Sequence, residues 1–235
     1  MYIAVDIGGS NARITYSESL DLTSLIEPIK FPLIHDFEKD FSTVVNVIEK
    51  LVATPIAIGI GTPGIIDEKN GLILSAHNIS EWETKPIVKM FEDKFKCKVF
   101  LDNDAKIAAL GEATFGTGTD YDFLYITWGT GVGGAKVVRK GKLKDIEQLN
   151  WDDYLEKLEY LCGGGNIKKR FHKPASELTQ DEWDEVMVDF KENFINISNR
   201  TAFKTILIGG GATAKHVAEF ESMSKELKDN EINLL

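Results

Sequence analysis

The sequence predicts an α/β protein built from two similar halves, and three observations lead there. An apolar strand runs into a glycine-rich turn and out into a second strand at Ile3-Ala-Val-Asp-Ile-Gly-Gly-Ser-Asn11. The same device returns at Phe123-Leu-Tyr-Ile-Thr-Trp-Gly-Thr-Gly-Val-Gly-Gly134. Segments with apolar residues at helical spacing follow each copy and alternate with short β-branched runs. A length of 235 residues with 43% hydrophobic content suffices for one large domain or two small ones with their own cores.

The first half reads as strands over 2–7, 12–16 and 27–33, joined by Gly and Ser/Asp turns into an antiparallel meander. A helix over 42–52 follows, with Val44, Val45, Val47, Ile48 and Leu51 on its apolar face, and then a buried strand over 55–60. Gly61-Thr-Pro-Gly64 is a loop by its residues. Thr84 is the expected cap of a helix over 84–95 that shares Ile87, Met90 and Phe91 on one face. A strand over 98–101 ends on Asp102-Asn-Asp104, and 105–113 reads as helix. Gly116-Thr-Gly118 marks the expected boundary, giving domains 1–116 and 117–235.

In the second half, strand, turn and strand run from 123 to 138. Asn150 is the expected cap of a helix bearing Tyr154, Leu155, Leu158 and Leu161. Thr179 and Glu182 form a capping box for a longer helix with Trp183, Val186, Met187, Phe190, Phe194 and Ile197 on one side. A strand over 205–208 meets Gly209-Gly-Gly211 and a helix from Thr213, and the polar stretch 222–233 reads as loose.

Net charge is −10, which disfavours a nucleic-acid duplex or an anionic membrane as partner, because both need a basic face. A polyphosphate would have to be held by backbone N–H groups and a metal ion more than by lysines. Cys97 and Cys162 give neither a disulfide framework nor a Cys-x-x-Cys zinc pair, so both read as packed thiols in a reducing compartment. No leader or bilayer-length apolar run is evident, so a cytoplasmic location is expected.

Glycine turns let several main-chain N–H groups converge on one anion. Gly129-Thr-Gly-Val-Gly-Gly134 matches the dinucleotide pattern G-x-G-x-x-G, but Ala135-Lys-Val-Val138 continues as strand where that fingerprint needs a helix, and no Walker A loop occurs. In the first turn, Asp6 beside a phosphate would repel it unless a cation intervenes. Mg²⁺ bridged through water is one reading, and a hairpin cap is the other. Gly8, Gly9, Ser10 and Asn11 are candidate phosphate donors, as are Gly129, Thr130 and Gly131 in the second turn, where Thr127 takes the place of Asp6. Gly209, Gly210 and Gly211, between strand and helix, suit an adenosine or its phosphates. Asp102 and Asp104 end a strand of the first sheet and are the candidate bases toward an incoming hydroxyl, of which at most one faces the substrate; for Asn103 and Asp104 the other reading is a cap of the helix over 105–113.

Together these pieces resemble the ROK family of bacterial sugar kinases and related repressors, within the actin, hexokinase and Hsp70 superfamily. The resemblance rests on Asp6-Ile-Gly-Gly-Ser-Asn11, Gly59-Ile-Gly-Thr-Pro-Gly-Ile-Ile-Asp67, Asn78 with Trp82, Leu101-Asp-Asn-Asp-Ala105 followed by Ala108-Ala-Leu-Gly-Glu112, and the second glycine turn. It implies two ribonuclease-H-like (actin-like ATPase) domains, mixed sheets flanked by helices, with nucleotide in the cleft between them. The first would carry the first phosphate loop, the sugar site and the catalytic carboxylate, and the second the second phosphate loop and the adenosine loop. It implies an ATP- and Mg²⁺-dependent hexose kinase, glucokinase-like, with Asp104 as general base and Gly64, Asn78 and Asn103 at the sugar. A homodimer is implied as well.

The chain departs from the family at the zinc knuckle. Asp145-Ile-Glu-Gln148 stands where Glu-x-Gly-His is usual, and Lys157-Leu-Glu-Tyr-Leu-Cys-Gly-Gly164 resembles the end of the Cys-x-Glu segment. Glu159 and Gln148 are thereby implied as sugar ligands, and no structural zinc is expected. The stretch past the adenosine loop is short for the family. The rival reading is a sugar- or nucleotide-binding regulatory protein that has lost turnover. A repressor of the usual type is disfavoured because no helix-turn-helix precedes Met1.

Overall fold

A computed structural model describes residues 1–140, 143–150, 154–211 and 217–234. The chain divides into two compact units, Met1–Asp104 and Ala105–Leu235.

In the first unit, β1 (Tyr2–Ile7), β2 (Asn11–Ser17) and β3 (Ile29–Pro32) form the antiparallel meander, while β4 (Ala57–Thr62) and β7 (Lys98–Asn103) run parallel to β1 in the order β3-β2-β1-β4-β7. Helices α1 (Phe37–Leu51) and α2 (Ile87–Phe95) supply the crossovers that parallel neighbours require. A small hairpin, β5 (Ile65–Asp67) and β6 (Leu72–Ser75), follows the Gly61–Gly64 segment. Ile7, Ile14, Ile48, Ile58, Ile60, Trp82 and Phe91 are fully buried in one core, where the Trp82 ring stands edge-on to Phe37 at 5.0 Å.

Two helix starts differ from expectation. α1 begins at Phe37, not 42, because Asp36 caps it by accepting from the Lys39 N–H at 3.2 Å, with Glu38 and Asp40 favourable in the first turn. Thr84 does not cap α2: it holds φ of 61° and donates its N–H to the Ile73 carbonyl at 2.8 Å, and the N-cap is Pro86.

The second unit repeats the sheet. β8 (Phe123–Trp128), β9 (Val132–Lys140) and β10 (Leu143–Gln148) form a meander, and β11 (Thr205–Gly209) and β12 (Asn233–Leu234) extend it in parallel, in the order β10-β9-β8-β11-β12. Thr127 pairs across its hairpin with Gly133 as Asp6 pairs with Arg13. α3 (Asp104–Phe115) packs its small face, Ala109 and Ala113, with Phe123, Tyr125, Ala135, Val137 and Leu207. Lys144 Nζ also donates to the Ala113 carbonyl at the end of this helix. These contacts set the division at Asp104/Ala105, one helix earlier than the expected 116/117.

α4 (Glu156–Cys162) has Leu155 at its N-cap with no side-chain hydrogen bond. Asn150 accepts from the Tyr154 N–H through its backbone oxygen at 3.2 Å, and 151–153 lie outside the described residues. α5 (Gly164–Phe171) and α6 (Gln180–Thr201) follow. The stretch 222–233 is ordered structure, correcting its reading as loose: α7 (Val217–Leu227), a 3-10 turn at Lys228–Asn230 and β12 occupy it. Met223, Leu227, Ile232 and Leu234 are buried there, and the Asn233 N–H donates to Lys204 at 2.7 Å. The expected start of this helix at Thr213 lies outside the described residues.

The capping box of α6 is present. Glu182 Oε2 accepts from the Thr179 N–H at 2.7 Å and meets Lys173 Nζ at 2.6 Å. The Lys173 ammonium first, and the Thr179 donors after it, hold the Glu182 carboxyl down to about 2. A depressed folded value means that the ionised form favours the fold. Its stabilisation is complete above the ordinary glutamate range and is lost as pH falls through about 2. Thermal melts of wild type and Glu182→Gln are therefore expected to differ at pH 7 and to converge between about pH 5 and pH 2; a gap independent of pH would contradict this.

Candidate active site

In the first unit the parallel register gathers the candidate residues at one end of the sheet. Asp6 pairs with Gly61, Gly61 with Asp102, and Thr62 with Asn103. The carboxyl ends of β1, β4 and β7 therefore carry Asp6, the Gly61–Gly64 segment and Asn103-Asp104 side by side, where α/β sheets bind ligands. Asn103 is buried and its Nδ2 donates to the Gly64 carbonyl at 3.0 Å. Gly64 has φ of +99°, and a Cβ there would collide with the Ser75 carbonyl oxygen, so only glycine lets this loop lie against β6. Asp102 Oδ1 accepts from the Asn103 N–H at 2.7 Å, and Asp104 is the half-buried first residue of α3, where the helix N-terminus favours a carboxylate.

The first glycine turn closes when the Gly8 N–H donates to the Asn11 carbonyl at 3.0 Å. Among the described residues, the N–H groups of Gly9 and Ser10 make no hydrogen bond. Asn78 lies against this turn: a Cβ on Gly9 would come within 2.8 Å of the Asn78 Cβ. Asp6 Oδ2 accepts from Arg13 Nη1 at 2.6 Å, with both side chains near half exposure. Oδ1 of Asp6 takes no hydrogen bond among the described residues. An accessible carboxylate with one oxygen engaged and one open fits a water-bridged Mg²⁺. Arg13 was not foreseen, although residues flanking a hairpin turn symmetrically, as 6 and 13 do, must face each other.

In the second unit, β8 and β11 are parallel and Thr127 pairs with Gly209, so the second glycine turn and Gly209–Gly211 leave the same sheet end. Gly210 has φ of +111°, and a Cβ on it would strike the Trp128 carbonyl. The Gly129 N–H donates to Gly131 O at 2.9 Å, while the carbonyls of Gly129 and Thr130 accept from Gly164 and Gly165 at 3.0 and 2.8 Å, at the start of α5. A trans peptide points its C=O and the next N–H in opposite directions. The N–H groups of Thr130 and Gly131 are thus aimed away from α5, and neither makes a hydrogen bond among the described residues. Two adjacent unused donors are what an anion-binding concavity requires. Among the described residues, no heavy atom lies within 4 Å of an ideal Cβ at Gly129 or Gly211.

The implied sugar ligands of this unit are placed differently. Glu159 Oε2 accepts from the Val132 N–H at 2.8 Å, so its carboxylate lies against the second turn. Gln148 is exposed at the end of β10, opposite Ala135 and three residues along β9 from Val132. The contribution of Gly163–Gly165 was also missed; the run of three glycines was its only signal in the sequence.

The model of the ROK family matches residues 2–144, more than half of the sequence. The chain belongs to the ROK family. It is 33% identical over 144 residues to a xylose repressor of Caldicellulosiruptor bescii, covering 58% of this chain and 36% of that one. Over 161 residues it is 34% identical to a glucokinase of Halalkalibacterium halodurans, covering 63% and 47% respectively. The chain thus spans less than half the length of these curated relatives. A ROK glucokinase from Streptomyces griseus, solved in complex with glucose and AMPPNP, superposes with a TM-score of 0.74 at 20% identity, covering all of this chain and 93% of that one. Such neighbours establish the fold as that of the actin-like ATPases, α/β with mixed sheets flanked by helices.

Within this ROK chain no helix among the described residues is long and apolar enough to cross a membrane. Cys97 and Cys162 are free thiols; burial, then the nearby Asp189 carboxylate, pushes Cys162 up to about 12, and burial raises Cys97 as well. A thiol reagent at pH 8 is expected to leave Cys162 unmodified in the native protein and to titrate both cysteines after denaturation; rapid native labelling of Cys162 would contradict its burial. Metal analysis of the purified protein tests the expected absence of zinc, and one zinc per chain would overturn it.

Proposed function

We propose that this ROK chain is an ATP-dependent kinase that phosphorylates the primary hydroxyl of a hexose. The observation that carries the reading is the register of β1, β4 and β7, which brings Asp6, Gly64 and Asn103-Asp104 to one sheet end behind a glycine turn with unused amides. Gly64, Asn78 and Asn103 orient the sugar, with Gln148 and Glu159 as further candidates. Gly9, Ser10 and the side chain of Asn11, and on the second unit Thr130 and Gly131, donate to phosphates, while the N–H groups of Gly8 and Gly129 close their turns instead, onto Asn11 and Gly131; Gly209, Gly210 and Gly211 receive the adenosine. Mg²⁺, held through water by Asp6, would neutralise charge on the β- and γ-phosphates.

Asp104 accepts the proton of the sugar hydroxyl as that oxygen bonds to the γ-phosphorus. The bond from γ-phosphorus to the bridging oxygen breaks, and ADP leaves. An ADP-coupled assay against a hexose panel tests this, with glucose first and N-acetylmannosamine, N-acetylglucosamine, mannose and fructose after it. Hexose-dependent ADP is expected, and its absence with every sugar would overturn the proposal. The Arg13 guanidinium on Asp6 and the likeness to a xylose repressor favour a second reading, a sugar- or nucleotide-binding regulatory protein. For that reading calorimetry would show ligand binding without ADP formation.

A further inference from the structure

We infer that Glu159 is a positioning residue for the second glycine turn and acts on nucleotide phosphates through the backbone. This rests on the reading that Thr130 and Gly131 donate to those phosphates. Three contacts fix the back of the turn. Glu159 Oε2 accepts from the Val132 N–H at 2.8 Å, and the carbonyls of Gly129 and Thr130 accept from Gly164 and Gly165. Glu159 also shapes the segment that supplies the last two, since its own carbonyl accepts from the Gly163 N–H at 2.8 Å and from Asn166 Nδ2 at 3.0 Å. Its carboxylate lies close against the turn itself: a Cβ at Gly131 would lie 2.8 Å from Oε2.

Val132 is 5% exposed, so an N–H there that loses its acceptor has little access to water. Removing that acceptor would let the turn rotate and disperse the paired amides of Thr130 and Gly131. The demand on residue 159 is therefore for reach and an acceptor oxygen, and not for charge. A negative charge beside a polyphosphate opposes binding, so the amide of glutamine should serve as well as the carboxylate or better.

Calorimetric titration of ADP with Mg²⁺ into the full chain tests this order. Glu159→Gln is expected to bind within about threefold of wild type or tighter, whereas Glu159→Asp, which keeps the charge and loses the reach, and Glu159→Ala are each expected to lose roughly tenfold. Amide exchange at Val132 should accelerate in the latter two and not in the glutamine variant. If Glu159→Ala does not fold, the comparison of Gln with Asp decides. Wild-type affinity in all three variants, or an equal loss in Gln and Asp, would overturn the inference while leaving the kinase reading intact. Failure of the wild type to bind ADP would overturn both.

Discussion

Asp104→Asn is expected to lower hexose-dependent ADP formation by about 10²- to 10⁴-fold, with the KM for sugar and ATP changed no more than a few-fold. Asparagine has nearly the shape of aspartate but cannot take the hydroxyl proton. The loss should therefore fall on kcat, where the proton is in flight. Position argues that the substitution leaves the fold intact. Asp104 is the first residue of α3, a place where asparagine is tolerated, and losing a carboxylate at a helix N-terminus removes only about 0.3–1 kcal/mol. A thermal melt beside the kinetics separates the two effects. Equal turnover in wild type and variant would remove Asp104 from the chemistry, and a collapse of the melt would make it structural.

Phe190→Ala is expected to destabilise the second unit by about 3–5 kcal/mol, measured by denaturant unfolding. The Phe190 ring stacks on Trp128 at 4.1 Å and lies 4.5 Å from Phe194, and both Trp128 and Phe190 are fully buried. Trp128 also donates its Nε1–H to the Cys162 carbonyl at 2.6 Å and is the last residue before the second turn. Loss of the Phe190 ring should therefore weaken ADP binding as well as stability. A change below about 1 kcal/mol would mean that the cluster closes over the gap, which aromatic cores seldom do.

What was legible in the sequence follows from the range of the forces involved. The strand-turn-strand copies were readable because period-two burial and turn glycine are local. The Thr179/Glu182 box was readable because both partners lie within one turn of helix. α1 was read five residues short because Asp36-Phe37 precedes the valine stripe that announces the helix. In 222–233, Met223, Leu227 and Ile232 are buried in a core with partners distant in sequence, so polar composition concealed an ordered helix and strand. Asp102 and Asp104 were expected at the end of a strand in the sheet of the first glycine turn, and β7, which ends at Asn103, does lie in the sheet of β1. Glu159 on Val132 was not foreseen, because it is a side-chain choice among several partners of equal sequence plausibility; Arg13 on Asp6 was within reach of the hairpin's symmetry alone.

Transfer of label from ATP carrying a γ-³²P phosphate is the most direct measurement. With glucose present the label is predicted to appear in a hexose phosphate, and Asp104→Asn is predicted to abolish most of it. Release of label only as inorganic phosphate, or retention in ATP despite saturable hexose binding, would contradict the account.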